Sequence, residues 1–343
     1  MIINPVLMPE NADWPHDHNG DEWWQESVVI SWADPDKEIG GVIRLGHQPN
    51  RGFTKCCFGI VQRDGPGYSR NAQDLPYRLT DRLPDGFAVD DFVSATFDGK
   101  THRWQASDEF CDMDIRVTDV HDAVDFMSLT PRSATTETWF SNHIQGAGNF
   151  EGRIRLGDQW FDVQGGTYRD HSWGTRLLHN PRGDLYAGWW LGGSFGPNFS
   201  FGFQDGRTRS GDSMPCAYLV IDGVTYLAEV RDAEVALSLG DGISPKGVKI
   251  VVYEPTLGEM TFKARGFGSV VMALEGKHFE LSMPCRVTCG DLVGGGSVET
   301  ILNPRNAAEW PFWVEGAALA NGPNQFENAK LVQAPFSRPG FVA

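Results

Sequence analysis

Long apolar runs are missing from this chain. Nowhere do 18 consecutive apolar residues occur, and Met1-Ile-Ile-Asn-Pro5 lacks the basic start and apolar stretch of an export signal. A membrane-spanning helix is excluded on that ground, and a cytoplasmic location is expected. Basic residues are scarce, with 29 Lys and Arg against 45 Asp and Glu for a formal net charge of −16. Nucleic acid and anionic membranes recruit clustered cations, so neither is an expected partner and no membrane insertion is expected. The six cysteines, Cys56, Cys57, Cys111, Cys216, Cys285 and Cys289, contain no C-x-x-C pair, which removes zinc ribbons and thioredoxin-type sites. They read as reduced, buried small residues. A G-x-G-x-x-G loop and a Walker A loop are also absent, so no nicotinamide or nucleotide triphosphate is readable and no cofactor is expected.

The sequence is instead rich in turn formers and aromatics: Gly 40, Pro 20, Phe 21 and Trp 12 in 343 residues. That length exceeds one ordinary core and fits two all-β domains. Short runs rich in Val, Ile, Phe, Trp and Tyr recur between Gly-rich turns, among them Ser27–Trp32, Ile39–Leu45, Cys56–Gln62, Asp112–Val117, Phe150–Leu156, Tyr186–Leu191, Val248–Tyr253 and Lys277–Met283. Asp98-Gly99 and Asp222-Gly223 sit between such runs as hairpin turns. No window of about 12 residues keeps a helical period, so helices should be few and short. A parallel sheet would need crossover helices, which leaves antiparallel sheets, closed or nearly closed to hide their edges.

Ser213-Met-Pro-Cys216 recurs as Ser282-Met-Pro-Cys285, either as equivalent strand entries or by chance. Leu178-His-Asn-Pro-Arg-Gly183 reads as a connector, placing the domains at 1–178 and 179–343. The tail from Asn321 onward has too much Pro and Asn for a central strand, and is expected to be an irregular arm.

The densest polar and aromatic cluster is Thr167-Tyr-Arg-Asp-His-Ser-Trp-Gly-Thr-Arg176. In an extended segment Tyr168, Asp170 and Ser172 point one way, and Arg169, His171 and Trp173 the other. An Asp in an aromatic cavity is pushed toward a working acid or base by burial and pulled back by a neighbouring Arg. The same residues could equally build a salt-bridge corner, with Arg169 and Arg176 pairing carboxylates and His171 capping a turn. His16-x-His18, flanked by Asp13 and Asp17, has a metal-like look but no third ligand by spacing, and no metal is expected. Gly192-Gly-Ser-Phe-Gly196 matches a nucleophile elbow in form, but Pro197–Phe203 reads as another strand where the elbow needs a helix, so a hairpin is expected. Glu137 and His143 share a face by parity, as a dyad or as polar outward residues.

Tyr168-Arg-Asp-His-Ser-Trp-Gly174 resembles the signature stretch of the hydroxyneurosporene synthase (carotenoid hydratase) superfamily, which includes AttH-like proteins. Glu22-Trp-Trp-Gln-Glu-Ser27, Gly40-Gly-Val-Ile-Arg-Leu-Gly46 and Pro49-Asn-Arg-Gly52 resemble a bacterial branch of it, so the likeness spans roughly 20–205. The resemblance implies two lipocalin-like antiparallel β-barrel or half-barrel domains packed side by side. It also implies cofactor-free chemistry on large apolar molecules. His171 and Trp173 match the family's His-x-Trp pair, with Asp170 beside them. The family's Tyr-x-Asp proton donor has its nearest counterpart in Phe203-Gln-Asp205, where the Tyr is missing, so carotenoid hydration itself is not implied.

The expected activity is a cofactor-independent lyase acting on a bulky hydrophobic substrate, isoprenoid or polycyclic aromatic and lignin-like. It would add or remove water, or break a C–C or C–O bond. Asp170, His171 and Arg169 are the expected catalytic residues. Tyr168, Trp173, Trp189, Trp190, Trp24 and Glu26 are the expected substrate-binding residues, because aromatic faces stabilise a carbocation in a dry cavity. Of Trp189 and Trp190, neighbours in one strand, one should point inward and one outward. The alternative is a non-catalytic carrier of apolar molecules, and either form could be a homo-oligomer.

Overall fold

A computed structural model of the chain describes residues 2–5, 7–9, 11–89, 91–129, 142–175, 185–208, 215–237, 244–274, 278–302, 312–321 and 330–333. Among these residues the helical segments are three-residue 3₁₀ turns at Pro49–Arg51, Leu79–Asp81 and Phe126–Ser128, and the rest of the regular structure is antiparallel sheet. The all-β expectation holds, in the form of two curled half-barrel sheets of fourteen and eleven strands.

Both sheets follow one plan. In the first, Trp24–Asp34 leads into Ile39–Gln48, Phe53–Gln62 and Pro66–Pro76 as an up-and-down series. The chain then crosses over and winds back until Gln159–Thr175 lies against Trp24–Asp34, so the opening strand pairs with the closing one. In the second, Leu185–Ser194 opens, and Leu292–Leu302 returns to pair with it. The ends of the described chain change sides: Ile2–Ile3 joins the second sheet beside Val224–Leu227, and Phe312–Asn321 joins the first beside Pro66–Pro76. Lys330–Gln333 pairs with Phe312–Asn321, so this part of the tail is an edge strand where an irregular arm was expected. A sheet edge needs fewer ladder bonds than a central strand, which is why the local Asn and Pro do not prevent it.

Burial follows the side-chain alternation. Val93–Asp98 and Thr101–Ser107 alternate between buried and open positions, as strands with one wet face do. Trp24–Asp34 and Ile39–Gln48 are buried at every position. Their inner face joins the first sheet's own core with Trp104, Phe58 and Phe87, and their outer face is covered by the second sheet. Each fully buried large side chain of this kind contributes about 1.5–3 kcal/mol.

The contact between sheets is built from Val29, Ala33, Val42, Cys57 and Val61 against Phe267, Val270 and Met272, and from Phe126 and Leu129 against Trp190 and Tyr218. At Gly166 and Gly295 the two backbones touch, and a Cβ on either residue would strike the other chain segment.

Several sequence readings take definite form. Asp222 and Gly223 both have positive φ, as a two-residue hairpin loop between Ile221 and Val224 demands. At the other site the loop is Gly99-Lys100, because Asp98 still pairs with Thr101. Phe195 N–H bonds Phe199 O, so Gly192–Gly196 leads into a hairpin and Ser194 Oγ donates to Gly148 O of the first sheet. Cys216 opens the third strand of the second sheet while Cys285 sits inside its penultimate strand, so the Ser-Met-Pro-Cys echo does not mark equivalent positions. All six cysteines are buried and free. The connector at 178–183 lies outside the described residues.

Candidate functional site

Gln159–Thr175 carries the motif, and its alternation splits the motif between two environments. On the inner face Arg169 lies opposite Ile30, His171 opposite Val28 and Trp173 opposite Glu26. Arg169 is the centre of a closed ionic cluster. Its Nη1 and Nη2 donate to the two Asp13 oxygens at 2.8 and 2.9 Å, and its Nε and Nη2 donate to Asp119 Oδ2 at 2.8 and 2.6 Å. Trp104 Nε1–H donates to His102 Nδ1 at 2.7 Å, which leaves the His102 proton on Nε2, 3.1 Å from Asp119 Oδ1. Burial would raise both carboxyls, but the guanidinium holds Asp13 and Asp119 below the ordinary carboxylate range.

His171, fully buried, lies beside this cluster. Its Nε2 is 3.0 Å from Glu26 Oε1 and its Nδ1 is 3.4 Å from Asp13 Oδ1, the latter long for a hydrogen bond and chiefly electrostatic. Burial works against the charged ring, yet Asp13 and Glu26 raise its pKa to about 9. Burial would raise Glu26 as well, but hydrogen bonds from His16 and His171 lower it. The His16 backbone N–H donates to both Glu26 oxygens, its Nδ1 is 2.7 Å from Oε1, and its ring stacks on Trp173 with 3.7 Å between centroids. Trp24 lies at the same end, its ring 5.9 Å from His18.

His16 Nδ1, Glu26 Oε1 and His171 Nε2 fall within 4.8 Å of one another, close enough to share a cation. Hydrogen bonds already join them, and the protons involved would have to leave before an ion entered. Sequence spacing hides this trio because its members come from the N-terminal segment and two separate strands. As it stands, the inner face is an ion-paired corner that pins residues 12–18 across the end of the first sheet, with His171 Nδ1 the one atom of the cluster short of a hydrogen bond among the described residues.

The outer face faces the second sheet. Tyr168 lies opposite Ser31, Asp170 opposite Val29 and Ser172 opposite Ser27. Asp170 therefore does not meet His171 or Arg169, and two members of the expected catalytic trio are parted from the third by the sheet itself. Asp170, with its side chain 23% exposed, has His143 Nε2 at 3.9 Å. Glu137 and Arg176 lie outside the described residues. Tyr168 is buried with its ring against Gly192, and burial, followed by Tyr218 and Asp170 near it, pushes its hydroxyl well up.

The cross-strand row through Asp170 runs Gln145, Asp170, Val29, Arg44, Cys57, Asn71. Three of its buried atoms, Gln145 Nε2, Arg44 Nη1 and Asn71 Oδ1, have no hydrogen-bond partner among the described residues. From the second sheet Tyr218 donates to Gln145 Oε1 at 3.2 Å. Ser31 Oγ donates to Glu299 Oε1 at 3.1 Å. Burial and the neighbouring Glu280 push Glu299 well above the ordinary range. Trp190 is buried on this face, whereas Trp189 packs toward the second sheet's own core, opposite Asp205 in register.

The model of a domain of unknown function, DUF7064, matches residues 9–304. The chain belongs to the DUF7064 family. Among curated proteins no sequence matches it. Among solved structures, an AttH-like protein of Nitrosomonas europaea is similar at 12% identity with a TM-score of 0.59, over 87% of this chain and 97% of that one. CghA crystallised with Sch210972 is similar at 10% identity and a TM-score of 0.55, over 85% and 94% of the two chains. Kievitone hydratase of Nectria haematococca is similar at 10% identity and a TM-score of 0.56, over 88% and 96%. At 10–12% identity the likeness is one of fold, and this DUF7064 chain shares the two-sheet architecture of these structures. No helix among its described residues is long and apolar enough to cross a membrane.

Asp119, Arg44, Gln145, Glu280 and Glu299 of this DUF7064 chain were not expected from sequence, and Asp13 was noted only as a neighbour of the His16-x-His18 pair. Arg44 and Glu299 left a signal, each being the one Lys, Arg, Asp or Glu of its strand. Asp119 left none.

Proposed function

We propose that the chain is a cofactor-independent lyase whose site is the outer face of the motif strand, between the two sheets. The observation that carries this reading is the row of buried atoms without hydrogen-bond partners among the described residues, on either side of Asp170. A buried polar atom left unpaired costs about 1–3 kcal/mol, and native folds keep few of them. Three in one row, beside a partly exposed carboxylate, is the pattern of a site completed by a ligand. A shared fold with a hydratase supports the same reading.

The substrate is a bulky hydrophobic molecule, isoprenoid or polycyclic aromatic, lying against Tyr168 and Trp190. Glu299, whose carboxyl is pushed up by burial and by Glu280, is the proton donor. Protonation of an alkene carbon forms the new C–H bond and leaves a carbocation, which the aromatic faces stabilise. Water adds to that centre and gives up its proton to Asp170. In reverse the same groups remove water, and the same acid and base would serve C–O or C–C cleavage. Arg169 and His171, on the inner face, position the strand that presents Asp170.

A screen of terpenoids and dimeric aromatics for turnover without added cofactor tests this. Asp170→Asn should lower turnover by roughly 10²-fold or more while apolar ligand binding stays within a few-fold. Wild-type turnover in that variant would contradict the assignment. Retained binding with no turnover of any compound by the wild type would favour a carrier.

A further inference from the structure

We propose that Arg44 anchors an anionic group, a carboxylate or an enolate, on one end of the apolar ligand. The proposal rests on the outer face being the ligand site. Arg44 is 4% exposed, its Nη1 is closed off from solvent without an acceptor, and among the described residues no carboxylate forms an ion pair with it. A guanidinium withdrawn from water is ordinarily paired, because an uncompensated charge is among the most destabilising features a fold can hold. Arg44 is therefore a positive charge awaiting an anion.

The surroundings agree. The guanidinium lies over Gly46, where any side chain would collide with it. Gly46 is flanked in register by Ser27 and Lys55. The Ser27 and Ser172 hydroxyls, 3.3 Å apart, stand in the same row. Asp170 and Arg44 flank Val29 on opposite sides, which places the charged anchor two strands from the proposed base. A planar guanidinium fork suits a carboxylate better than a single-point contact would. The apolar residues opposite it in register, Val29 and Cys57, suit a hydrophobic body attached to that anion.

The test uses the full chain and three probes: 2-naphthoate, its neutral isostere 2-naphthamide, and inorganic phosphate, followed by calorimetry and thermal shift. The wild type should bind 2-naphthoate at least tenfold more tightly than 2-naphthamide, with no shift from phosphate. Arg44→Met should remove that preference, leave 2-naphthamide binding unchanged, and raise the melting temperature of the free protein by removing an unpaired buried charge.

Equal binding of acid and amide by the wild type would overturn the proposal, as would an unchanged preference in Arg44→Met. A lowered melting temperature in that variant would do the same, since it would mean the guanidinium has a structural partner. Equal protection by phosphate would overturn the apolar carboxylate as the ligand class. Acid preference that follows Arg44 without turnover of any compound upholds the anchor and counts against the lyase. Turnover that is indifferent to Arg44→Met upholds the lyase and counts against the anchor.

Discussion

His171 shows how a motif residue can be fixed by the carboxylates around it. Its ring is charged because Asp13 and Glu26 flank it, and its pKa stands at about 9 against an ordinary 6.5. A histidine whose folded pKa is raised contributes stability that is complete below its unfolded value and is lost as pH rises through the folded one. The melting temperature should therefore be insensitive to this group below pH 6.5 and should fall between there and about 9. His171→Gln should be less stable by about 3–5 kcal/mol, since it strips a partner from buried carboxylates, and its melting curve should lack the decline over that window. An unchanged slope in the variant would assign the titration elsewhere. Asp13 works in the opposite sense: its lowered carboxyl contributes above its ordinary 3.8 and loses that contribution as acid is added.

At the scale of elements, the motif strand is a partition. Its alternation was readable from sequence, because in an extended segment parity alone separates Tyr168, Asp170 and Ser172 from Arg169, His171 and Trp173. What parity could not supply was the company each face keeps. Asp13 reaches Arg169 across 156 positions and Ser31 reaches Glu299 across 268, separations that leave no spacing pattern. Strands such as Ile39–Gln48 were recognisable by their Val and Ile content, whereas Pro66–Pro76, bounded by prolines and rich in polar residues, was not. The N-terminal segment is held chiefly by side chains, through Asp13 to Arg169, His16 to Glu26 and Trp14 Nε1 to Phe97 O. Asp13→Ala should therefore cost about 3–5 kcal/mol and release the segment, with faster amide exchange at Trp14 and His16 than in the wild type. Exchange unchanged at both would show the backbone to be held by other means.

For the whole molecule, the two sheets act as one body because they meet at backbone level. Gly295 has no room for a Cβ against Ala33 O and Gly166, so Gly295→Val must force the sheets apart. That variant should melt at lower temperature and lose ligand binding together, since the proposed site lies at the same contact; loss of stability with binding intact would place the ligand elsewhere. The repeated plan of opening strand against closing strand was not legible as a sequence repeat, since equivalent positions share side-chain direction and not residue type. The most direct test of the account is a crystal structure with a bound aromatic carboxylate. The account predicts the ligand between the sheets, its carboxylate on the Arg44 guanidinium and its ring system near Asp170 and Tyr168. A ligand seated inside either half-barrel, or stacked on His16 and Trp173 at the inner face, would contradict it.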